Sequence, residues 1–347
     1  MFGVAIVGCG MIARFHAKAL LEVADARLVA LVSRDAGKAK RLADELHLSC
    51  DIDTDLPRVL ARRDVHIITV CTPSGAHKEP AVAAANAGKH VVVEKPLEIT
   101  LERCDAIIEA CRRNGVQLCT IFPSRFADAN IALKQAVDAG KFGRITLGET
   151  TCKWWRPQSY YDEGGWRGTK ALDGGGALMN QAIHNVDLLL WLMGRASHVS
   201  GFTATLAHER VEVEDTAVAW LRFASGALGV IQATTSVQPG YPKTIAVHGD
   251  RGSAVIEQED VVRWDFTPET EEDRAVRQRF AQKVGASGGA SNPAAISHVY
   301  HARQLVDFVR AIKTGSHPLV DGREGRRAVE VILGIYQAAE TGRTVVL

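Results

Sequence analysis

Charge of one sign is what this 347-residue chain lacks first: 41 Lys and Arg stand against 40 Asp and Glu, a formal net charge of +1. Nucleic acid and membrane surfaces favour a basic excess, so neither is expected as the main partner. A local basic pocket for a phosphate stays open. Cysteine is sparse and unpatterned. The seven thiols, at positions 9, 50, 71, 104, 111, 119 and 152, are odd in number and contain no CxxC pair. That argues against a disulfide framework and for free thiols in a reducing compartment. Long apolar runs are missing too: the densest, Val186 to Met193, carries Asp187 and is too short for a bilayer. The start, Met1-Phe2-Gly3-Val4-Ala5-Ile6-Val7-Gly8, enters a strand pattern at once, without the basic n-region of a signal peptide. A soluble, cytoplasmic protein is expected. What is plentiful is core material, with 46% hydrophobic against 23% charged residues. The length suits about two domains of ~150 residues each.

Through residue 122, β-branched runs at 4–7, 27–32, 66–71, 90–94 and 117–122 alternate with amphipathic stretches near 12–24, 36–47, 77–88 and 101–114. Strict alternation predicts βαβ units, a doubly wound parallel sheet, and a dinucleotide-binding domain over 1–122. The pattern then changes. Helical stretches at 126–140 and 176–193 precede strand-like runs at 199–207, 213–223, 227–237, 243–249, 252–257 and 260–266. Short turns such as Ser225-Gly226 and Gly249-Asp250-Arg251-Gly252 favour hairpins and an antiparallel sheet, so 123–347 reads as an α+β domain. Two amphipathic helices, about 297–313 and 323–341, are expected to brace the two domains. Segment 267–297 begins charged and ends in Gly285-Ala286-Ser287-Gly288-Gly289-Ala290-Ser291. It predicts a mobile loop, either an exposed connector or a flap over an active site.

Gly8-Cys9-Gly10-Met11-Ile12-Ala13 fits GxGxxA directly after the first strand and at the opening of a helix. In that context it reads as a dinucleotide fingerprint more readily than as an ordinary strand-to-helix turn. Gly8 turns the chain, and Gly10 lets the backbone at Met11 and Ile12 approach a pyrophosphate. Ala13 permits close packing, and the helix N-terminus favours negative charge. The end of the second strand selects the nicotinamide cofactor. An acid about 20 residues past the glycines takes the ribose 2′-OH, whereas an Arg pairs with a 2′-phosphate. Here Ser33 and Arg34 favour NADP, while Asp35 keeps NAD open if the strand ends one residue later. Two further loops, Thr72-Pro73-Ser74-Gly75-Ala76-His77 and Glu94-Lys95-Pro96, follow strand ends. Ligands of open α/β sheets lie outside those ends, so Thr72, Pro73, His77, Glu94, Lys95 and Pro96 are expected at the cofactor. Strand-terminating prolines and a surface lysine are the bland alternative.

In this order and spacing the motifs resemble the glucose–fructose oxidoreductase/inositol dehydrogenase (Gfo/Idh/MocA) family of NAD(P)-dependent oxidoreductases. The likeness extends to Gly174-Gly175-Gly176, His184 and Asp321-Gly322-Arg323-Glu324-Gly325. The stretch from Trp155 to Thr169 looks like a branch containing UDP-N-acetylglucosaminuronic acid 3-dehydrogenases. The resemblance implies a Rossmann domain and a second domain with an open, mainly antiparallel sheet. It also implies a sugar or sugar-derivative substrate between them, and homo-oligomers, dimers or tetramers, built on the outer face of that sheet. Lys95 would be the catalytic lysine, with Lys95–Pro96 a cis peptide. Many members carry Asp-x-x-x-His on a helix; this chain has Asn180-Gln181-Ala182-Ile183-His184, so the histidine matches and the carboxylate is lost.

Oxidising a secondary alcohol needs a base for the hydroxyl proton while the cofactor takes the hydride. Lys95 suits that role, because burial and a cationic nicotinamide would lower its pKa. His184 titrates near neutrality unaided, and Asn180, four residues earlier, shares its helix face. A satisfied core histidine is the alternative for His184. Glycines 174–176 would let the helix N-terminus approach the substrate. Trp166 and Arg167 are expected where cofactor and sugar meet; Tyr160, Tyr161, Arg156, Arg125 and Asp187 are weaker candidates. Several arginines would suit an acidic or nucleotide sugar. No metal is expected: His298 and His301 have no third ligand in sequence and read as solvated or capping. Cys71 and Cys119 read as core. Two other readings stay open, a non-catalytic dinucleotide-binding regulator or redox sensor, and a hydrolase or lyase using tightly held NAD.

Overall fold

The computed structural model describes residues 1–163, 165–281 and 297–347. It resolves into two compact units, Met1–Pro123 with Ser297–Val329, and Ser124–Ile296 with Glu330–Leu347. Among the described residues no helix is long and apolar enough to cross a membrane.

In the first unit β1 (Phe2–Val7), α1 (Met11–Leu21), β2 (Ala26–Val32), α2 (Ala36–Glu45), β3 (Asp51–Asp53), α3 (Leu56–Leu60), β4 (Ile67–Val70), α4 (Lys78–Asn86), β5 (His90–Val93), α5 (Leu101–Arg113) and β6 (Leu118–Thr120) follow in turn. The sheet order is β3-β2-β1-β4-β5-β6, with every pairing parallel. This is the doubly wound dinucleotide-binding order, whose switch point lies between β1 and β4. Residues 4–7, 67–70 and 91–93 are buried on both faces, which is why these strands read as unbroken apolar runs. The expected strands and helices are present. The three-residue β3 and the five-residue α3 are too short to give a periodic signal.

The second unit runs α6 (Asp128–Asp138), β7 (Ile145–Lys153), α7 (Gln158–Asp162), a π-helical turn (Ala177–Ala182), α8 (Ile183–Met193), β8 (Ala196–Ala204), β9 (Thr216–Phe223), β10 (Leu228–Thr234), β11 (Thr244–Gly249), β12 (Gly252–Glu257), β13 (Asp260–Phe266) and α9 (Glu271–Arg279). After α10 (Val299–Thr314) and α11 (Gly322–Thr341), β14 (Val345–Val346) joins the sheet edge, giving β13-β12-β11-β7-β10-β9-β8-β14. The sheet is mainly antiparallel, with β7 and β10 parallel.

Three expectations need correction. The sequence reading skipped β7, the strand in the middle of the sheet. Its inward residues are Gly148, Thr150 and Cys152, so apolar alternation is lacking; a Cβ on Gly148 would lie 2.7 Å from Met193 Sδ. The cut after residue 122 assigned everything beyond it to the second half. Instead, Ser297–Val329 packs with the first unit. Ala302, Leu305, Phe308 and Val309 of α10 join its core, and Gln304 accepts from Phe122 N and donates to Thr120 O at the end of β6. Finally, part of the expected loop 267–297 is helical. Thr270 and Asp273 cap α9 reciprocally, a device that satisfies two helix-end N–H groups. The rest of that segment, 282–296, and with it the idea of a flap, lies outside the described residues.

Candidate active site

Four strand ends in the first unit, those of β1, β2, β4 and β5, carry the expected cofactor residues. Gly8 leaves β1 at φ +93°, and a Cβ there would lie 2.7 Å from Cys71 O, so only glycine fits. Gly10 is the N-cap of α1. No side chain caps that helix, and its first turn holds no acid. Nothing lies within 4 Å of where a Gly10 Cβ would sit. Open space over uncapped N–H groups at Met11 and Ile12 fits a pyrophosphate.

At the end of β2, Ser33 N donates to Asp53 O, and Arg34 is exposed. Asp35 belongs to the next element: it is the N-cap of α2, its Oδ1 accepting from Lys38 N at 3.2 Å. Ser33 Oγ in turn accepts from Asp35 N. The strand therefore does not run on to Asp35.

Thr72 Oγ1 donates to Ala76 O at 2.8 Å, and Pro73 opens a 3₁₀ turn. His77 is buried, with Nδ1 2.9 Å from Pro96 O and Nε2 2.9 Å from Thr72 O. Its ring is a brace between the two loops; burial pushes its pKa down. Lys95 is half-buried and precedes a cis peptide to Pro96, as the resemblance implied. Behind it Glu94 is buried. Its Oε1 lies 2.6 Å from His16 Nε2, and its Oε2 accepts from Lys95 N at 3.1 Å. Burial pushes this carboxyl up, but the hydrogen bond and charge of His16, with His301 and Lys95, pull it down to about 2.

His301 corrects the sequence reading. It is buried, 3.8 Å from Glu94 Oε1, and burial with His16 nearby pushes it down to about 4. His298 instead pairs with Glu22. The potential ligand atoms of His16, Glu94 and His301 lie within 4.8 Å of one another. The 2.6 Å His16–Glu94 contact is a hydrogen bond, whereas His16 Nδ1 and His301 Nδ1 are buried without a hydrogen-bond partner among the described residues. His16 had no sequence signal: it is one histidine within an apolar helix. Cys71 and Cys119 are buried, as expected of core residues.

The second unit holds the remaining candidates. Asn180 lies in the π-helical turn and His184 in the first turn of α8. Two of the glycines before them are required by close packing. A Cβ on Gly175 would lie 2.2 Å from Tyr336 Oη, and one on Gly176 would lie 1.7 Å from Glu214 O. Glu214 is buried and accepts from Gly176 N, Leu178 N and Tyr336 Oη at 2.8, 2.8 and 2.9 Å. The N-terminal donors there are taken by the protein's own carboxyl. Burial pushes that carboxyl up to about 7 against these three donors.

Asn180 Nδ2 donates to the buried Asp173, which also accepts from Gly168 N. Asp173 was not singled out from sequence. Gln181 links Asn180 to Tyr160 and Arg156. Arg167 stacks over Tyr160 at 4.4 Å and Trp166 at 5.4 Å, and the buried Arg156 stacks over Trp154 at 4.9 Å. Arg125 and Asp187 form a buried two-bond ion pair at 2.8 and 2.6 Å, a packing role. Tyr161 is buried and bonded to Thr235.

Residues 2–122 match the oxidoreductase family with an NAD-binding Rossmann fold, and residues 131–255 match the GFO/IDH/MocA C-terminal domain. The structure resembles that of the WlbA dehydrogenase from Bordetella pertussis in complex with NADH and UDP-GlcNAcA. The TM-score is 0.87 and identity 32%, over 100% of this chain and 98% of that one. Myo-inositol 2-dehydrogenase of Thermotoga maritima is 28% identical over 99% of this chain and 98% of its own. Levoglucosan dehydrogenase of Pseudarthrobacter phenanthrenivorans is 28% identical over 76% and 75%.

Proposed function

The chain belongs to the GFO/IDH/MocA oxidoreductase family, and from that premise we propose that it is an NAD(P)-dependent dehydrogenase of a secondary alcohol on a sugar, sugar derivative or cyclic polyol. The observation carrying the reading is the pairing of a cofactor cradle with a lysine at one sheet edge: uncapped α1, open Gly10, and Lys95 held by Glu94.

The bound nicotinamide supplies the hydride chemistry. Lys95 Nζ takes the hydroxyl proton in oxidation and returns it in reduction. His184 is the assisting acid–base group, and Asn180, four residues before it, orients the sugar. Met11, Ile12, Thr72, Pro73 and Pro96 line the dinucleotide, with His77 holding two of its loops together. Trp166 and Arg167 contact the sugar end. NADP is preferred over NAD: the only acid near the end of β2 among residues 33–35 is committed to capping α2, and Arg34 is free to meet a 2′-phosphate. The resemblance to a UDP-GlcNAcA-bound dehydrogenase, together with Arg156 and Arg167, supports an acidic or nucleotide sugar.

Self-association is proposed through the outer sheet face. There Val218, its cross-strand partner Phe202, Trp220 and Leu228 are 45–81% exposed, an apolar patch that a lone protein rarely leaves bare. Sedimentation as a monomer at micromolar concentration would refute it.

The deciding experiment follows the reduced-nicotinamide absorbance with NAD and NADP across sugars, sugar acids, polyols and UDP-sugars. Turnover on at least one secondary alcohol is expected. Cofactor binding with no turnover on any would favour the regulator reading.

A further inference from the structure

The second unit holds a lysine that neither the glycine fingerprint nor the helix motif accounts for. Lys243 directly precedes β11, where that strand runs antiparallel to the end of β7. Thr244 pairs with Thr151, so one residue earlier Lys243 falls opposite Cys152. Residues opposite each other in an antiparallel pair share a face, and the face of Cys152 is the inward one, against which α8 packs. Asn185, the residue after His184, ties α8 to this corner. Its Nδ2 donates to Thr150 Oγ1 at 2.7 Å and to Thr244 O at 3.1 Å. The chain leaving β7 returns to the same corner, since Arg156 N donates to Thr235 O and Tyr241 N to Lys153 O.

The charge of Lys243 is poorly answered there. Nζ donates to Ser124 Oγ at 2.9 Å, and a hydroxyl carries no net charge. Among the described residues no carboxylate lies within ion-pair distance of that nitrogen; Glu259 acts on it only at longer range. An ammonium has three N–H donors, and Ser124 takes one. Desolvation pushes the pKa of Lys243 down, although the residue keeps some exposure. Arg156 brings a second positive charge to the corner: burial pushes the Cys152 thiol up to about 12 against the charges of Lys243 and Arg156 alike. A desolvated cation is costly unless an anion answers it.

We propose that Lys243 binds an anionic group of the substrate, a sugar carboxylate or the diphosphate of a nucleotide sugar, through a charge-assisted hydrogen bond from Nζ. The identity of that ligand as substrate rests on the oxidoreductase reading, whereas the under-neutralised cation on the α8 face stands on the structure alone. A neutral hexose offers the ammonium only hydroxyls, so Lys243 selects for acidic substrates at the end of α8 that carries His184.

Lys243→Met keeps the length of the side chain and removes its charge. KM is measured for a hexose, the matching hexuronic acid, and the UDP derivative of each. For the charged substrates that the native enzyme uses, the variant is expected to raise KM roughly 10–100-fold, the worth of one charge-assisted hydrogen bond. KM for the neutral hexose and affinity for NADPH stay as they were, which shows the fold intact. An effect with the free hexuronic acid assigns the lysine to the carboxylate; an effect with both UDP-sugars alone assigns it to the diphosphate. A readout independent of turnover uses lysine isotope-labelled at Cε in the NADPH-loaded protein, the Lys243 resonance being the one lost in Lys243→Met. An anion beside an ammonium favours its charged form, so the titration midpoint of Lys243 is expected to rise on adding UDP-hexuronic acid.

An unchanged KM for the charged sugars, or an equal change for charged and neutral ones, overturns the proposal. So do native turnover confined to the neutral hexose and a midpoint unmoved by saturating UDP-hexuronic acid. If the native chain oxidises no alcohol while the midpoint rises, the anion site stands and the oxidoreductase reading fails.

Discussion

Glu94 in the first unit and Glu214 in the second are both buried carboxyls, each bonded to the backbone of a segment that carries a proposed catalytic side chain. Glu94 bonds Lys95 N; Glu214 bonds the amides of Gly176 and Leu178, just ahead of Asn180. Their charge states differ because their donors differ. Glu94 faces imidazoles and an ammonium, and is held ionised with its pKa near 2. Glu214 faces two amides and a phenol, which do not outweigh burial, and titrates at about 7. Hydrogen-bond count does not settle the charge of a buried acid; the presence of a cationic neighbour does. One support is therefore indifferent to pH through the physiological range, and the other changes within it.

Four perturbations probe this contrast, beginning with the largest effect. Lys95→Ala should reduce turnover at least ~10²-fold, the usual contribution of a general acid–base group, with cofactor affinity near normal in a fluorescence titration. Unchanged turnover would remove the lysine from the chemistry. Glu94→Gln breaks a buried pair and should cost roughly 3 kcal/mol in a denaturant melt at pH 7. A depressed carboxyl stabilises above its unfolded pKa of 4.5 and loses that contribution as pH falls towards 2. The gap between native and variant should accordingly close in acid. Glu214 behaves oppositely. Its raised pKa means full stability below about 4.5, lost as pH climbs through 7, by up to ~1.4 kcal/mol per pH unit. Glu214→Gln should flatten that slope; an equally steep slope in the variant would show that another group titrates. The smallest effect belongs to Arg34→Ala, expected to raise the KM for NADPH about tenfold, the loss of one charged contact, with little change for NADH. Equal changes for both cofactors would sink the proposed preference.

The units also differ in how far they could be read from sequence. In the first, strands covered on both faces appear as apolar runs, and the glycine fingerprint falls where a strand meets a helix, so element order and cofactor edge were legible. In the second, β7 escaped because glycine, threonine and cysteine face its core, and α9 because a capping box sat inside a charged stretch. Asn180 and His184 were reached through the family resemblance, by their match to Asp-x-x-x-His. Asp173 and His16 could not be picked out, since each owes its place to a partner distant in sequence or across a loop. Within the triple glycine, Gly175 and Gly176 leave room for Tyr336 and Glu214, a packing demand that the sequence did not reveal.

The capping role of Asp35 has a consequence for altering the cofactor choice of this enzyme. Because that carboxylate secures the first turn of α2, moving or deleting it would weaken a helix while leaving the nucleotide edge as it was. Position 33 is the adjustable one. A Ser33→Asp exchange retains an oxygen for Asp35 N, sets a negative group against any 2′-phosphate, and leaves the helix start alone, so a lineage could cross between the two dinucleotides in a single substitution.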